Sequence, residues 1–220
     1  MNAAKAYKGL PMEGAIATWY TRNTGLDRKR FEDTARVITE RVRPSARVLE
    51  VAPGPGYLAI ELARRGYAVT ALDISKSFVR IARENAAKAG VVIEVRHGNA
   101  AQMPFADASF DYVVCMAAFK NFTDPIGAIN EMHRVLKPGG QGAILDLRKD
   151  ATREELDAEV RNMHLSPLNT WLTRWTFQWM LLRLAYTREH LEQMAGRSRF
   201  GGGEIVSNGI GCELRLTKRT

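Results

Sequence analysis

The fold of this chain is decided by the stretch Val48-Leu49-Glu50-Val51-Ala52-Pro53-Gly54-Pro55-Gly56-Tyr57. An apolar strand leads into a glycine-rich turn, and an apolar helix follows. The next apolar run, residues 68–72, is followed directly by Asp73. In α/β folds such a turn lets the backbone approach a nucleoside, and an acid after the second strand binds the ribose hydroxyls. The stretch therefore predicts a nucleoside site at the ends of the first two strands.

Short apolar strands alternate with helices on either side of this turn. The predicted strands are residues 47–51, 68–74, 91–97, 112–116 and 142–147, and the predicted helices are residues 27–42, 57–65, 76–89 and 125–136. Ser75 is the expected cap of the helix at residue 76, and Pro138-Gly139-Gly140 predicts a chain break before the fifth strand. This alternation indicates a parallel sheet with helices on both of its faces.

The segments before and after this alternation of strands and helices have other predicted structures. Residues 1–46 predict an N-terminal helical arm or cap, and residues 47–220 predict one α/β domain. Within that domain, residues 152–185 predict a helical insertion that contains three of the four tryptophans. Two short strands near residues 204–206 and 212–217 predict an antiparallel hairpin at the end of the sheet.

Composition limits the classes of protein to which the chain belongs. Its 220 residues are 45% hydrophobic, which is sufficient for the core of one domain. The formal charge of +8 lies mostly in residues 1–47, and a basic arm is typical of nucleic-acid or acidic membrane partners. The alternation of Arg28-Lys29-Arg30 with Glu32-Asp33 is also typical of a solvated helix face. The chain has no long apolar segment and no apolar leader, and we expect a cytoplasmic protein without a transmembrane segment.

Several motifs bear on the identity of the nucleoside. Gly54 and Gly56, followed by Ala59, match a dinucleotide fingerprint, so an NAD(P) oxidoreductase is one alternative. Glu50 points elsewhere, because a carboxylate before the turn would repel a pyrophosphate but suits an ammonium group. Two more motifs follow in order, Gly98-Asn99-Ala100 after the third strand and the Glu131-to-Gly140 segment before the fifth.

With these motifs the chain resembles the class I S-adenosylmethionine-dependent methyltransferases, in their type 11-like small-molecule branch. The resemblance runs from residue 48 to about residue 147 and continues more weakly near residues 186–191. It implies a Rossmann-like three-layer sandwich with a mostly parallel seven-stranded sheet and an antiparallel C-terminal hairpin. It also implies S-adenosylmethionine as cofactor and S-adenosylhomocysteine as product.

The resemblance further implies which positions contact the cofactor. In that family the first-strand acid and glycine turn bind the amino-acid end, the acid after strand two binds the ribose, and later loops bind the adenine and line the sulfonium. The matching positions are Glu50, Ala52, Gly54, Gly56, Asp73, Ile74, Asn99, Ala100, Cys115, Met116 and Ala117. Ala52 replaces the usual glycine and Asn99 a frequent aspartate. Asn99 has the alternative role of a turn residue that bonds its own backbone.

The acceptor is less well defined than the cofactor. Residues 115–122 lack the DPPY or NPPY tetrad of amino-directed family members, which favours a small, apolar or aromatic acceptor over nucleic acid. No cluster of ligand-type residues has metal-binding spacing, so no metal is predicted. The catalytic candidates are His164 and Tyr20, and the substrate-contact candidates are Trp19, Tyr20, Lys120, His164, Trp171 and Trp175.

Two sets of alternatives stay open at this point. The Trp-rich insertion is a substrate lid, a homodimer interface or a membrane contact. The function is small-molecule methylation, RNA methylation through the basic arm, or cofactor binding without catalysis.

Overall fold

A computed structural model describes residues 7–8, 12–25, 28–162, 171 and 182–220. Among these residues, seven strands form one sheet in the order β3-β2-β1-β4-β5-β7-β6. The strands are β1 Arg47–Val51, β2 Ala68–Asp73, β3 Glu94–His97, β4 Phe110–Met116, β5 Leu136–Leu147, β6 Glu204–Asn208 and β7 Gly211–Thr217. The helices are α1 Gly14–Thr24, α2 Arg28–Thr39, α3 Tyr57–Arg64, α4 Lys76–Lys88, α5 Pro125–Val135, α6 Arg153–Asn162, α7 Leu182–Leu184 and α8 Arg188–Arg197.

The first five strands are parallel, so their carboxyl ends meet at one edge of the sheet. β7 runs antiparallel to both β5 and β6. The predicted mostly parallel seven-stranded sheet with an antiparallel C-terminal hairpin is therefore confirmed. β1 and β4 are neighbours at the point where the strand order reverses, and in open α/β sheets ligands bind in the crevice at the carboxyl ends of such strands.

Helices cover both faces of the sheet and bury separate apolar clusters against it. One cluster joins Leu49 and Ile144 of the sheet to Met132 of α5 and Leu191 of α8. The opposite cluster joins Val48 to α2, α3 and α4 through Ala35, Ile38, Leu58, Leu62 and Ala82. The second N-terminal helix thus contributes to the same core as β1. The division into residues 1–46 and 47–220 stays a prediction.

Several strand boundaries differ from the predictions, and two of them differ by more than two residues. β3 begins at Glu94 rather than residue 91, and Val92 before it is almost fully exposed. The predicted break at Pro138-Gly139-Gly140 is wrong, because these residues lie inside β5. Gly139 adopts φ +74°, which suits glycine, and the chain bulges at this point. The bulged backbone then exchanges two 2.9 Å hydrogen bonds with Lys218.

The described ends of the predicted insertion are helical. α6 and α7 pack Leu156, Val160 and Leu182 together with Ile210. His164, Trp175 and most of the tryptophan cluster lie outside the described residues. Within the described ranges, no helix combines the length and apolar character needed to cross a bilayer.

Candidate functional site

Glu50 is a buried carboxylate in the middle of the sheet. It lies on β1 between Ala71 of β2 and Val114 of β4, and it is 3% exposed. Its Oε2 has no hydrogen-bond partner among the described residues. Burial raises the pKa of Glu50 from 4.5 to about 8, against the opposing effect of a backbone hydrogen bond from Ala59. A buried carboxylate with one unpartnered oxygen is costly, and a cationic group bound beside that oxygen would reduce the cost.

The glycine turn after β1 is held close to α4. Gly56 adopts φ +81°, and a Cβ there would lie 3.0 Å from the Cβ of Ala82. The carbonyl of Pro55 accepts a 2.9 Å hydrogen bond from the Asn85 amide. Gly54 adopts φ +54°, and its missing side chain would reach only the rings of Tyr20 and Phe78, at 3.9 and 4.0 Å. The turn is therefore packed on its α4 side and has room for a ligand at Gly54.

Asp73 connects this turn to the start of α4. Its two carboxylate oxygens accept hydrogen bonds from the backbone N–H groups of Gly54, at 3.1 Å, and Ser75, at 2.8 Å. Burial raises the pKa of Asp73 to about 6, and these two hydrogen bonds act in the opposite direction. Each oxygen retains a second lone pair, so both can also accept from a diol. The arrangement suits the predicted ribose contact.

The polar groups of the loop after β3 bond mainly to the protein's own backbone. The Asn99 side-chain oxygen accepts a 2.9 Å hydrogen bond from the Ala101 N–H, as the alternative role of a turn residue predicts. Ile74 is 39% exposed, and its carbonyl lies 3.0 Å from His97 Nε2. Ala100 is partly buried against the core. An adenine contact by Ile74, Asn99 and Ala100 stays a prediction.

The carboxyl end of β4 holds the three residues that are predicted to line the floor of the cofactor site. Cys115 is fully buried, and burial raises the pKa of its thiol well above the usual value. Met116 is half-buried. Ala117 adopts φ +58°, an uncommon conformation for a residue with a side chain, and its N–H donates to the carbonyl of Leu145 at 2.7 Å. Ala52, at the corresponding place after β1, has φ +55°.

Lys120 does not present a free ammonium group to a substrate, contrary to the expectation from sequence. It is 7% exposed, and its Nζ donates to Asp146 Oδ1 at 2.8 Å and to the Ala117 carbonyl at 3.0 Å. A substrate contact by Lys120 stays a prediction and would require this pair to open, because Asp146, on the neighbouring β5, already neutralises the charge. Asp146 had no place among the sequence candidates, although it comes near the end of an apolar strand as Asp73 does.

Tyr20 and Trp19 face in different directions on α1. Tyr20 packs edge-on against Phe78, 5.8 Å between ring centroids, and covers Gly54. Burial raises the pKa of the Tyr20 hydroxyl, and the charges of Asp146 and Asp73 contribute to the increase. Trp19 is 66% exposed. Adjacent helical residues point about 100° apart, so both cannot face the crevice.

Tyr7 is a residue that sequence reasoning missed. It pairs with Phe122 in an isolated antiparallel bridge, and its hydroxyl bonds the Asn121 side chain. Its pKa is raised by burial first and then by the charges of Tyr20, Asp73 and Asp146. Tyr7 therefore lies near the same two carboxylates as Tyr20. No local sequence signal marks it, because only the pairing with residues 121–122 brings it there.

These groups fit S-adenosylmethionine as a set. The orphaned Glu50 carboxylate suits the ammonium of the amino-acid arm, the space at Gly54 suits close backbone approach, and Asp73 suits the ribose diol. Residues 49–144 match the sequence model of a family described as "Methyltransferase domain". Over these residues the chain is similar to known methyltransferase domains. The dinucleotide alternative suggested by the glycine spacing is set aside by this match.

Two curated relatives are similar to this chain over about half of its length. The chain is 40% identical over 111 residues to a demethylmenaquinone methyltransferase of Listeria monocytogenes, covering 48% of this chain and 46% of that protein. It is 37% identical over 111 residues to a ubiquinone/menaquinone biosynthesis C-methyltransferase, UbiE, of Cupriavidus metallidurans, covering 49% and 46%. The chain thus spans about half the length of these relatives.

The match to a solved structure covers the whole length of the chain. A crystal structure from Methanococcus maripaludis, put forward as an S-adenosyl-L-methionine-dependent methyltransferase, superposes with a TM-score of 0.75 at 22% identity. It covers 100% of this chain and 98% of that one. The Rossmann-like methyltransferase fold is therefore confirmed. Trp171 is 62% exposed, and its role, like those of His164 and Trp175 outside the described residues, stays a prediction.

Proposed function

We propose that this protein transfers a methyl group from S-adenosylmethionine to a small, apolar aromatic molecule, at a ring carbon of a hydroquinone. The methyl–sulfur bond would break as the ring-carbon–methyl bond forms, and the same ring carbon would then lose its proton to water. The observation that carries the proposal is Glu50 Oε2, a buried carboxylate oxygen beside a glycine turn that has no hydrogen-bond partner among the described residues. It supports an ammonium-bearing nucleoside as the methyl donor. The acceptor class is supported by the names of the relatives, which refer to quinones, and by the absence of the DPPY or NPPY tetrad.

The protein's own residues align the reactants. When bound, the cofactor supplies an electrophilic methyl group on a good leaving group, so catalysis consists mainly of alignment and exclusion of water. Glu50 accepts hydrogen bonds from the ammonium, and Asp73 accepts them from the ribose. The turn at Gly54 and Gly56 holds the amino-acid arm. Residues 115–117 line the floor.

Tyr20 and Tyr7 act on the acceptor side of this arrangement as donors. Burial raises the pKa of both phenols above the ordinary value of 10.0, so both keep their protons at neutral pH. A protonated phenol donates a hydrogen bond to an acceptor oxygen but does not remove a proton from it. We therefore assign Tyr20 to orientation of the acceptor and closure over the donor, rather than to general base catalysis.

An acceptor assay with a ¹³C-methyl donor tests the function. Purified protein is incubated separately with 1,4-naphthoquinol, catechol and total tRNA. We expect one added methyl on naphthoquinol, with its ¹³C signal in the range of a ring-bound methyl. A methoxy signal would refute carbon methylation, label in tRNA alone would favour the RNA alternative, and binding of S-adenosylhomocysteine without any transfer would favour a non-catalytic module.

Location and assembly belong to the same proposal. We propose a cytoplasmic protein, since Cys115 and Cys212 are both buried free thiols and a reducing compartment keeps thiols free. We also propose a homodimer through residues 152–185. Light scattering would show twice the mass of one chain, and a variant with Trp171→Ser would shift toward monomer. A wild-type monomer at all concentrations would contradict the dimer.

A further inference from the structure

The buried ion pair between Lys120 and Asp146 lies outside the set of groups that bind the cofactor. Lys120 belongs to a 3₁₀ turn, Phe119–Asn121, directly after β4, and Asp146 lies near the carboxyl end of β5. The two side chains are 8% and 5% exposed. A buried ion pair is weak evidence for stability, because well-packed apolar residues often serve equally well. Its presence at the edge of the crevice therefore calls for another explanation.

The hydrogen bonds of the pair converge on the backbone that follows β4. Lys120 Nζ donates to Asp146 Oδ1 at 2.8 Å and to the Ala117 carbonyl at 3.0 Å. Asp146 Oδ2 accepts from the Lys120 backbone N–H at 3.0 Å, and Oδ1 also accepts from the Leu147 N–H at 2.8 Å. One carboxylate and one ammonium thus fix both ends of the segment 117–120 to β5.

The segment that they fix contains a strained residue. Ala117 has φ +58°, where an L-residue loses energy through the contact of its Cβ with the following carbonyl. Such a conformation persists only when its surroundings enforce it, and strain of this kind is concentrated at functional sites. The Ala117 N–H bond to Leu145 and the carbonyl bond to Lys120 supply that enforcement.

The same segment is also held from the outside by the N-terminal residues. The Lys8 N–H donates to the Asn121 carbonyl at 2.7 Å, and Tyr7 bridges Phe122. Lys8 Nζ donates to the Tyr186 hydroxyl at 2.9 Å, and the Tyr186 ring packs against Phe119. The loop 117–122 is therefore fixed on two sides, by the ion pair within and by the N-terminal bridge outside.

We propose that Lys120 and Asp146 are positioning residues that hold the Ala117 peptide, and with it the floor of the crevice, in the geometry required for methyl transfer. This inference rests on the proposed function, since that function places residues 115–117 beneath the reacting methyl group. The pair acts through the backbone and touches neither reactant. A displacement of about 1 Å at such a position lowers rates by up to about 100-fold.

The test removes the pair as a unit. Either single variant would leave one buried charge without its partner and could unfold the protein, so the double variant Lys120→Met with Asp146→Leu is used. We expect it to fold, to lose roughly 10- to 100-fold in kcat, and to keep its KM for the acceptor within about threefold. The matched control removes the exposed Arg80–Glu84 pair by Arg80→Met with Glu84→Leu and should change kcat less than about twofold.

Two further readouts separate positioning from plain stability. The double variant is also made in an Ala117→Gly background, where φ +58° carries no penalty, and the loss in kcat on removing the pair should be at least about fivefold smaller there. Equal losses in both backgrounds would overturn the proposal, as would a double variant with wild-type kcat. If the double variant lost an ionisation from its pH profile of kcat, Lys120 or Asp146 would transfer a proton directly, and this result would also overturn the positioning role.

Hydrogen exchange keeps the test independent of the acceptor. In wild type we expect S-adenosylhomocysteine to slow exchange of the Asn121 amide, which bonds the Ala118 carbonyl. In the double variant this amide should exchange at least about tenfold faster, and the ligand should not slow it. Unchanged exchange would contradict the positioning role even if no acceptor were methylated. A failure of the proposed function alone would appear differently, as an inactive wild-type protein whose Asn121 exchange still depends on the pair.

Discussion

Replacing Glu50 with glutamine is predicted to make the ligand-free protein more resistant to alkaline pH. Glu50 is 3% exposed, and burial raises its pKa from 4.5 to about 8. Between these values the folded protein keeps a proton on Glu50 that the unfolded chain has lost. The folded state is therefore favoured less and less as the pH rises through this window, and the effect levels off above about pH 8. A glutamine at this position cannot ionise and escapes the loss.

The magnitude follows from the two pKa values. The interval from 4.5 to about 8 corresponds to ~5 kcal/mol once it is fully developed. At pH 5 less than about 1 kcal/mol of this cost is present, and at pH 8.5 nearly all of it is. The stability of the Glu50→Gln variant relative to wild type should therefore increase by about 4 kcal/mol between these two pH values.

Urea unfolding without any ligand measures this difference. Wild type, Glu50→Gln and the surface control Glu84→Gln are unfolded at pH 5 and pH 8.5, with the slopes compared to confirm that the same surface is exposed. Glu84 is paired with Arg80 on the exposed side of α4, so its variant should follow wild type at both pH values. If wild type and Glu50→Gln change in parallel, within about 0.5 kcal/mol, the buried unpartnered carboxylate is refuted.

Three other substitutions test the remaining parts of the site. Asp73→Asn would turn an amide N–H₂ toward one of two backbone donors, and we expect a stability loss of about 1–3 kcal/mol and a rise in the Kd for S-adenosylhomocysteine of at least about tenfold; an unchanged Kd by calorimetry would remove Asp73 from the site. Gly54→Val should abolish detectable binding of S-adenosylhomocysteine and lower the free energy of unfolding in urea by about 1–2 kcal/mol, because a branched side chain at φ +54° is strained and fills the space that the turn leaves open. Normal binding would mean that the ligand lies elsewhere. Tyr20→Ala should lower kcat and raise the cofactor Kd more than Trp19→Ala does, since Tyr20, unlike the exposed Trp19, lies against Gly54. A larger effect of Trp19→Ala in steady-state kinetics would contradict the orientation of α1.

The sheet could be predicted from sequence because its strands carry the signal themselves. β1, β2 and β4 are covered on both faces, so they appear as short, nearly continuous apolar runs. The bulge in β5 could not be predicted, since Pro138-Gly139-Gly140 has the composition of a break. The segment forms hydrogen bonds with Lys218, far along the chain, and local composition does not indicate them.

The candidate site also contains residues that the sequence predicts and residues that it does not. Glu50, Gly54 and Asp73 belong to one local strand–turn–helix–strand unit, and their spacing alone brings them together. Lys120 follows β4 and Asp146 lies on the neighbouring β5, so their pairing depends on the β4–β5 register, in which Cys115 lies beside Ile144. Tyr7 depends on a single bridge to Phe122. Contacts of this kind are tertiary, and they cannot be predicted from the spacing of residues in the sequence.

Calorimetry with two adenosine ligands tests most directly whether Glu50 binds the ammonium of the cofactor. S-adenosylhomocysteine carries the amino-acid arm, and 5′-methylthioadenosine lacks it. In wild type at pH 7.5 we predict a clear preference for S-adenosylhomocysteine, and in Glu50→Gln a preference reduced by about 10- to 100-fold, with methylthioadenosine bound equally by both proteins. An undiminished preference in Glu50→Gln would contradict the account.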